Sequence, residues 1–501
     1  MSDVSDVGDR SSVALLSAAG LQRRLATGEL SPVEVLDACL EHVDRHNGRI
    51  NAVVTLDETA REQAHEQARE MERRLAAGED AGLLCGLPVG IKDITPVAGV
   101  RTTYGSPLHS DHVPDEDALV VRRLRAAGAV ILGKTNTPEF AAGGNTYNEI
   151  FGRTRNPWNP ELSAGGSTGG GAAALATGMI ALAEGTDLGG SLRVPASFCG
   201  VVGLRPSPGL VPTVPSDWAA DDLSVTGPMG RTVADVALML QAMWGPIPTF
   251  PLSSYGAERD FVGAVQRGPT EGFRVAYAPD VAGLGTDPAL ERVCRDTAES
   301  LAGSGVEVEG IDLDLSSGFE TFLTLRGRWM VEHHRSRVER LHELGPNLAG
   351  NIRAGLALRP GEVEAAEAAR EELRRMMRRL FERYDYLLTP CVPVPPFPVE
   401  QDFPETIGGR KMATYIEWIA PTFILTLTSL PIACVPAGLD PNGLPVGIQV
   451  VGPPMGEESV LALAGRMEEL KPIGQPPMCR ATLSGAPIPD TGRNRSKTRS
   501  R

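Results

Sequence analysis

Two serines stand inside glycine runs whose makeup suits acyl transfer. Ser167 lies in Gly165-Gly166-Ser167-Thr168-Gly169-Gly170-Gly171, and Ser191 follows in Gly185-Thr186-Asp187-Leu188-Gly189-Gly190-Ser191-Leu192-Arg193. Glycine lets backbone amides approach a ligand closely and adopt conformations that a Cβ resists, at an entropic cost. The N–H groups of Leu188, Gly189, Gly190 and Ser191 are therefore candidates to hold the negative oxygen of a tetrahedral intermediate while the Ser191 hydroxyl attacks a carbonyl. Taken alone, such a run is also what a glycine-rich surface turn looks like.

An attacking serine needs a base, and histidine is the usual one. The histidines are His42, His46, His65, His109, His112, His333, His334 and His342. Six of them fall in charged, helix-like stretches that read as solvated, and His109 and His112 in a polar loop. The alternative is a lysine whose pKa burial lowers until its neutral amine is available. Among Lys92, Lys134, Lys411, Lys471 and Lys497, only Lys92 stands out. It ends the apolar, strand-like Gly86-Leu87-Pro88-Val89-Gly90-Ile91 run, where a permanent cation is costly. A lysine snorkelling from a strand end is the plainer alternative.

These residues carry a family resemblance. Gly90-Ile91-Lys92-Asp93, Gly165-Gly166-Ser167-Thr168-Gly169-Gly170 and the block from Gly185 through Arg193-Val194-Pro195-Ala196-Ser197-Phe198-Cys199-Gly200 to Arg205-Pro206 resemble the amidase signature family in sequence, order and spacing. The likeness runs through Gly133-Lys134-Thr135-Asn136, Phe151 to Trp158, Gly227 to Thr232 and Leu430 to Gly452, covering roughly residues 12 to 470. It implies a Lys92, Ser167, Ser191 triad with a cis peptide at the first serine, and an α/β/α sandwich around a large mixed sheet. It also implies substrate contacts at Ala141, Ala142, Gly143 and Ser167. The sequence departs from the family pattern at Thr168, where serine is common, and at Gly171, where serine or alanine is common. Thr168, Asp187 and Arg193 are expected to support the loop. For Asp187 and Arg193, bracing of the oxyanion amides and a general structural ion pair both remain open.

The elements that must position these residues are legible in outline. From Val13 to about Gly78 the apolar period is helical, with Ser31-Pro32-Val33-Glu34 a capping-box helix start. Leu87–Ile94, Ala129–Leu132 and Ile180–Glu184 read as buried strands, and Asp117–Ala127 and Gly169–Ile180 as helices. This alternation argues for a buried mixed sheet with helices on both faces. Residues 1–78 are read as an N-terminal helical segment packed on the core and 79–470 as the catalytic domain, with a variable substrate-specificity region at 248–410. That region includes long charged helices at Leu323–Leu344 and Glu362–Tyr384. A basic tail, 471–501, is read as disordered. Met412–Leu427, with Tyr415, Trp418, Ile419, Phe423 and Ile424, reads as plain core or as an acyl pocket.

Composition bounds the function. The chain has 501 residues, 42% of them hydrophobic, enough for a large core. A net charge of −15 argues against a nucleic-acid partner. Cys39, Cys85, Cys199, Cys294, Cys391, Cys434 and Cys479 form no Cys-x-x-Cys pair, which fits a reducing compartment. No apolar run reaches the roughly 18 residues of a membrane span, so a cytoplasmic protein without a membrane partner is expected.

Two motif matches fail on context. Gly128-Ala129-Val130-Ile131-Leu132-Gly133-Lys134-Thr135 fits the phosphate-loop pattern, but its middle is itself a strand. Gly165-Gly166-Ser167-Thr168-Gly169 fits the nucleophile elbow, but only His333, His334 and His342 follow it. The resulting expectation is hydrolysis of a small carboxamide through a Ser191 acyl-enzyme, without metal or other cofactor, in a linear-amide hydrolase such as EC 3.5.1.4. A homodimer is the expected assembly if the chain self-associates. The alternatives are the glutamine-hydrolysing component of a transfer-RNA-dependent amidotransferase, and an esterase or carbamate hydrolase on the same triad.

Overall fold

The structure, a computed structural model, describes residues 10–483 except 217, 219, 249, 251, 254–257 and 304. Eleven strands form one twisted mixed sheet. In chain order they are β1 (Val53–Thr55), β2 (Pro88–Lys92), β3 (Val130–Thr135), β4 (Leu182–Asp187), β5 (Val202–Arg205), β6 (Val225–Gly230), β7 (Arg274–Tyr277), β8 (Glu307–Gly310), β9 (Tyr386–Pro390), β10 (Ile432–Leu439) and β11 (Pro445–Val451). Their spatial order is β1-β3-β2-β4-β6-β5-β10-β11-β9-β7-β8. β2 runs parallel to both β3 and β4, so Lys92, Thr135 and Asp187 all terminate strands at the same sheet edge. The carboxyl ends of parallel strands are where open α/β sheets place their ligands.

Period-two patterning divides the strand side chains between two apolar cores. Val130 and Leu132 join the core that holds Phe198, Phe322 and Trp418, while Ile131 joins the other with Leu124, Val236 and Leu461. Helices Gly169–Ala176, Arg193–Cys199 and Gly318–His333 cover the first core, and Leu119–Ala126, Val233–Met243 and Glu457–Leu470 the second. This is the expected α/β/α sandwich. The expected helix start at Ser31 is present: Glu34 N–H donates to Ser31 Oγ at 3.2 Å and Ser31 N–H to Glu34 Oε2 at 2.8 Å. The lysine of the rejected phosphate-loop match, Lys134, sits within β3, which leaves no loop for a phosphate.

Several expectations need correction. The N-terminal part is not purely helical, because β1 pairs antiparallel with β3 and forms a sheet edge. Strands β7, β8 and β9, from the region 248–410, join the same sheet. The helix read over Leu323–Leu344 breaks at His334, where Gly318–His333 gives way to a 3-10 segment over Arg335–Glu343. The tail read as disordered from residue 471 contains helix Pro477–Leu483, with Cys479 buried against the Ala176 carbonyl. Residues 484–501 lie outside the described residues. The histidines of the helical stretches are not all solvated either, since His42, His46 and His334 are buried. Trp418 stacks on Phe198 and Phe423 stacks on Phe322, so the Met412–Leu427 stripe is core.

Candidate active site

Lys92 enters the first core at the end of β2 and is fully buried. Its Nζ lies 2.7 Å from Ser167 Oγ, 3.0 Å from Thr168 Oγ1 and 3.0 Å from Thr186 Oγ1. Burial pushes the amine down to about 7, against the opposing pull of Glu184 and Asp187. A neutral amine has two N–H donors and one lone pair. Facing three hydroxyls, it therefore leaves one of them to donate to nitrogen. A neutral Lys92 amine can thus accept a proton from one of these hydroxyls, of which Ser167 is the nearest, and its complete burial excludes the snorkelling alternative.

Ser167 reaches the lysine from the turn that feeds helix Gly169–Ala176, and the Gly166–Ser167 peptide is cis, as the resemblance implied. The small residues of that helix have a packing cause. A Cβ on Gly170 would clash with the Asn136 backbone nitrogen, so only glycine lets the helix sit against the end of β3.

The two departures from the family pattern fit each other. The γ-methyl of Thr168 lies 3.1 Å from where a Cβ on residue 171 would stand, and 2.6 Å from where one on residue 185 would stand. Thr168 therefore fills space that a larger residue 171 would need. Gly171→Ala is expected to lower stability by about 1–3 kcal/mol through overpacking. Thr168→Ser should recover part of that loss, the Ala183 Cβ at 3.2 Å still crowding residue 171, and a double-mutant cycle of denaturation midpoints that proved additive would reject the coupling.

Ser191 follows β4 in a loop held from below by a buried ion-pair network. Asp187 receives Arg193 through two bonds, Nε to Oδ2 and Nη2 to Oδ1, each 3.0 Å. Arg193 also donates to the Thr422 carbonyl, Gln449 Oε1 and Thr426 Oγ1, tying the loop to helix Ala420–Thr426 and to β11. Burial raises the Asp187 carboxyl, but Arg193, Arg205 and the Gly190 N–H outweigh it and hold it well below the usual range. Asp187→Asn would strand two buried guanidiniums. It is expected to cost about 3–5 kcal/mol, read as a lowered denaturation midpoint.

The same carboxylate alters the expected oxyanion site. Gly190 N–H donates to Asp187 Oδ1 at 2.8 Å, so it is not available to a substrate oxygen. The N–H groups of Leu188, Gly189 and Ser191 make no hydrogen bond among the described residues. The set of four candidate donors becomes three. The pair is a buried structural ion pair whose aspartate also fixes the Gly190 and Leu192 N–H groups.

Ser191 Oγ makes no hydrogen bond among the described residues, and it lines a cavity of about 400 Å³. Ala141 lines that cavity too, whereas Ala142 and Gly143 line a neighbouring one on the other side of their loop. The remaining wall was not visible in the sequence. It combines Tyr104 and Phe140 with Asp221, Trp329, His333 and His334, drawn from four distant stretches.

The arrival of His333 and His334 reopens the histidine-base alternative, and geometry closes it. His333 Nδ1 pairs with the Trp329 carbonyl and its ring stacks on Trp329 at 3.8 Å. His334 is pushed down to about 3 by burial first and then by Arg337 and His333, so it is a poor base. Neither ring hydrogen-bonds to Ser191 among the described residues. No group of three or more His, Cys, Asp or Glu among them could hold a metal ion.

The sheet brings a buried lysine against Ser167, with the Ser191 loop joined to the next residue by the Thr168 N–H bond to the Ser191 carbonyl at 3.2 Å, and comparison with known proteins supplies the class. The Amidase family matches residues 34–461. The chain is 36% identical to an acylamidase of Rhodococcus erythropolis, over 91% of this chain and 96% of that one. It is 35% identical to a glutamyl-tRNA(Gln) amidotransferase subunit of Roseiflexus sp. (strain RS-1), over 89% and 95%. The solved structure of a bacterial aryl acylamidase superimposes with a TM-score of 0.84 at 27% identity, over 91% and 96%.

The chain belongs to the amidase family, the amidase signature enzymes, and hydrolyses amide C–N bonds.

Proposed function

We propose that this chain is a stand-alone amidase that cleaves small carboxamides through a Ser191 acyl-enzyme. Ser191 attacks as Ser167 takes its proton and passes its own to neutral Lys92; the relay then reverses to protonate the leaving ammonia or amine. Water repeats the attack on the ester, with the N–H groups of Leu188, Gly189 and Ser191 facing the oxyanion in both halves. The relay needs Ser191 Oγ within reach of Ser167 Oγ, a contact of the kind that tightens around the reacting complex. The observation that carries the assignment is the fully buried Lys92 amine 2.7 Å from Ser167 Oγ.

For substrate, the aromatic wall of the Ser191 cavity favours amides with an apolar or aryl group, of the EC 3.5.1.4 kind. Similarity to an acylamidase and an aryl acylamidase points the same way. A reducing compartment suits seven buried, free thiols. The similarity to the Roseiflexus amidotransferase protein supports a second reading, a glutaminase working in a complex. The purified chain, sized by gel filtration and assayed against primary amides, anilides, carbamates, esters and glutamine, tests both. Turnover of aryl or acyl amides without other proteins is the expected result. Turnover of glutamine alone, and only in a complex, would overturn it.

A further inference from the structure

His334 stands where the Gly318–His333 helix breaks, and it lines the Ser191 cavity although only 4% exposed. Among the described residues its Nδ1 is buried without a hydrogen-bond partner. Its Nε2 has no partner among the described residues either and is not sealed off, so in a residue that lines the cavity it is the nitrogen open to a ligand. A neutral imidazole carries one proton, and a buried orphan N–H is rarer than an orphan acceptor. The tautomer assigned on those grounds bears its proton on Nε2. Low basicity keeps the ring neutral, so it offers one directed donor without a charge.

The surroundings give that donor a shape to serve. Phe140 meets the imidazole edge-on at 5.1 Å and lies stacked on Tyr104 at 5.6 Å, with Trp329 on the other flank at 6.4 Å. These rings also line the cavity, which gives it an aromatic wall beside the donor. Phe140 and the adjacent Ala141 hold φ at +43° and +60°, left-handed conformations that non-glycine residues keep only where the surroundings enforce them. Arg337, over Phe140 at 4.5 Å and also at the cavity, adds positive potential that favours an oxygen acceptor on a ligand over a donor.

We propose that His334 sets substrate specificity, donating from Nε2 to a carbonyl or carboxylate oxygen borne on the ring of an aryl amide, remote from the scissile bond. This rests on the amidase reading of the same site. The test measures binding rather than turnover. Calorimetry on the Ser191→Ala protein compares meta- and para-acetylbenzamide with the isopropylbenzamides of the same shape.

At least one acetyl isomer is expected to bind about tenfold tighter, the worth of one hydrogen bond. His334→Phe in that background should erase the gap, and His334→Gln, which keeps an N–H donor, should restore much of it. Should His334→Phe not fold, His334→Ala is expected to show the same loss. Equal binding of the two kinds of amide, a gap that survives loss of the imidazole, or no binding at all would overturn the proposal. Failure of the amidase reading shows separately, as wild-type protein that hydrolyses none of these amides while the binding gap persists.

Discussion

Ser191→Ala is expected to lower kcat by at least about 10⁴-fold while leaving the denaturation midpoint within about 0.5 kcal/mol of wild type. The large effect follows from the proposed mechanism, in which the Ser191 oxygen carries the acyl group. The small one follows from position: Ser191 Oγ faces the cavity and makes no hydrogen bond among the described residues, so its removal leaves no buried partner unsatisfied. Rapid-quench kinetics with an activated aryl ester should show a burst in wild type and none in the variant. A variant that retained the burst would place the acyl group on another residue. Ser167→Ala makes a useful contrast, because Ser167 is buried and bonded to Lys92. Its loss should impair both catalysis and the packing around the lysine.

Part of the candidate site was legible in the sequence. An amine in an apolar strand has to be paired or neutral, and glycines beside serine signal close backbone approach, so type and neighbours singled out Lys92, Ser167 and Ser191, while the resemblance to the amidase signature family joined them into a candidate triad. The sheet was legible for a similar reason. Strands buried on both faces leave short apolar runs between turns, as at Pro88–Lys92 and Val130–Thr135.

What the sequence concealed depends on distance or competition. Tyr104, Phe140, Asp221 and Trp329 meet only through the crossings of the sheet, and no pattern within one segment joins them. The break at His334 interrupts a charged stretch whose helical period continues past it, so tertiary packing overrides propensity there. Gly190 illustrates competition. Its N–H looked free until a carboxylate three residues upstream claimed it, a local bond that aspartate readily makes, and the Asp187-x-x-Gly190 spacing was the available signal. The pairing of Thr168 with Gly171 was visible as two departures but became one fact only when the threonine methyl was placed.

The second large effect concerns Lys92. Lys92→Ala is expected to reduce kcat/KM by about 10²–10⁴-fold, the usual worth of a positioned general base, and to change the shape of the pH profile. The sign follows from protonation. Burial holds the amine down to about 7, and only the neutral form can accept the proton from Ser167. In wild type, log kcat/KM should therefore rise with unit slope below about pH 7 and level off above it as the ammonium disappears.

Removing the amine should leave a residual rate without that inflection. Lys92→Arg should be equally inactive across the whole range, because a guanidinium does not deprotonate in proteins. The arginine variant separates the two roles that a charge at this position could have. If a cation were needed only to orient Ser167, arginine would preserve part of the activity and the acid limb would vanish. If proton acceptance is the role, activity is lost with arginine as fully as with alanine. A Lys92→Ala enzyme with the wild-type limb intact would move the base elsewhere. His334 could not supply that limb, since burial, with Arg337 and His333, pushes its imidazole down to about 3, far below the rise expected of the lysine.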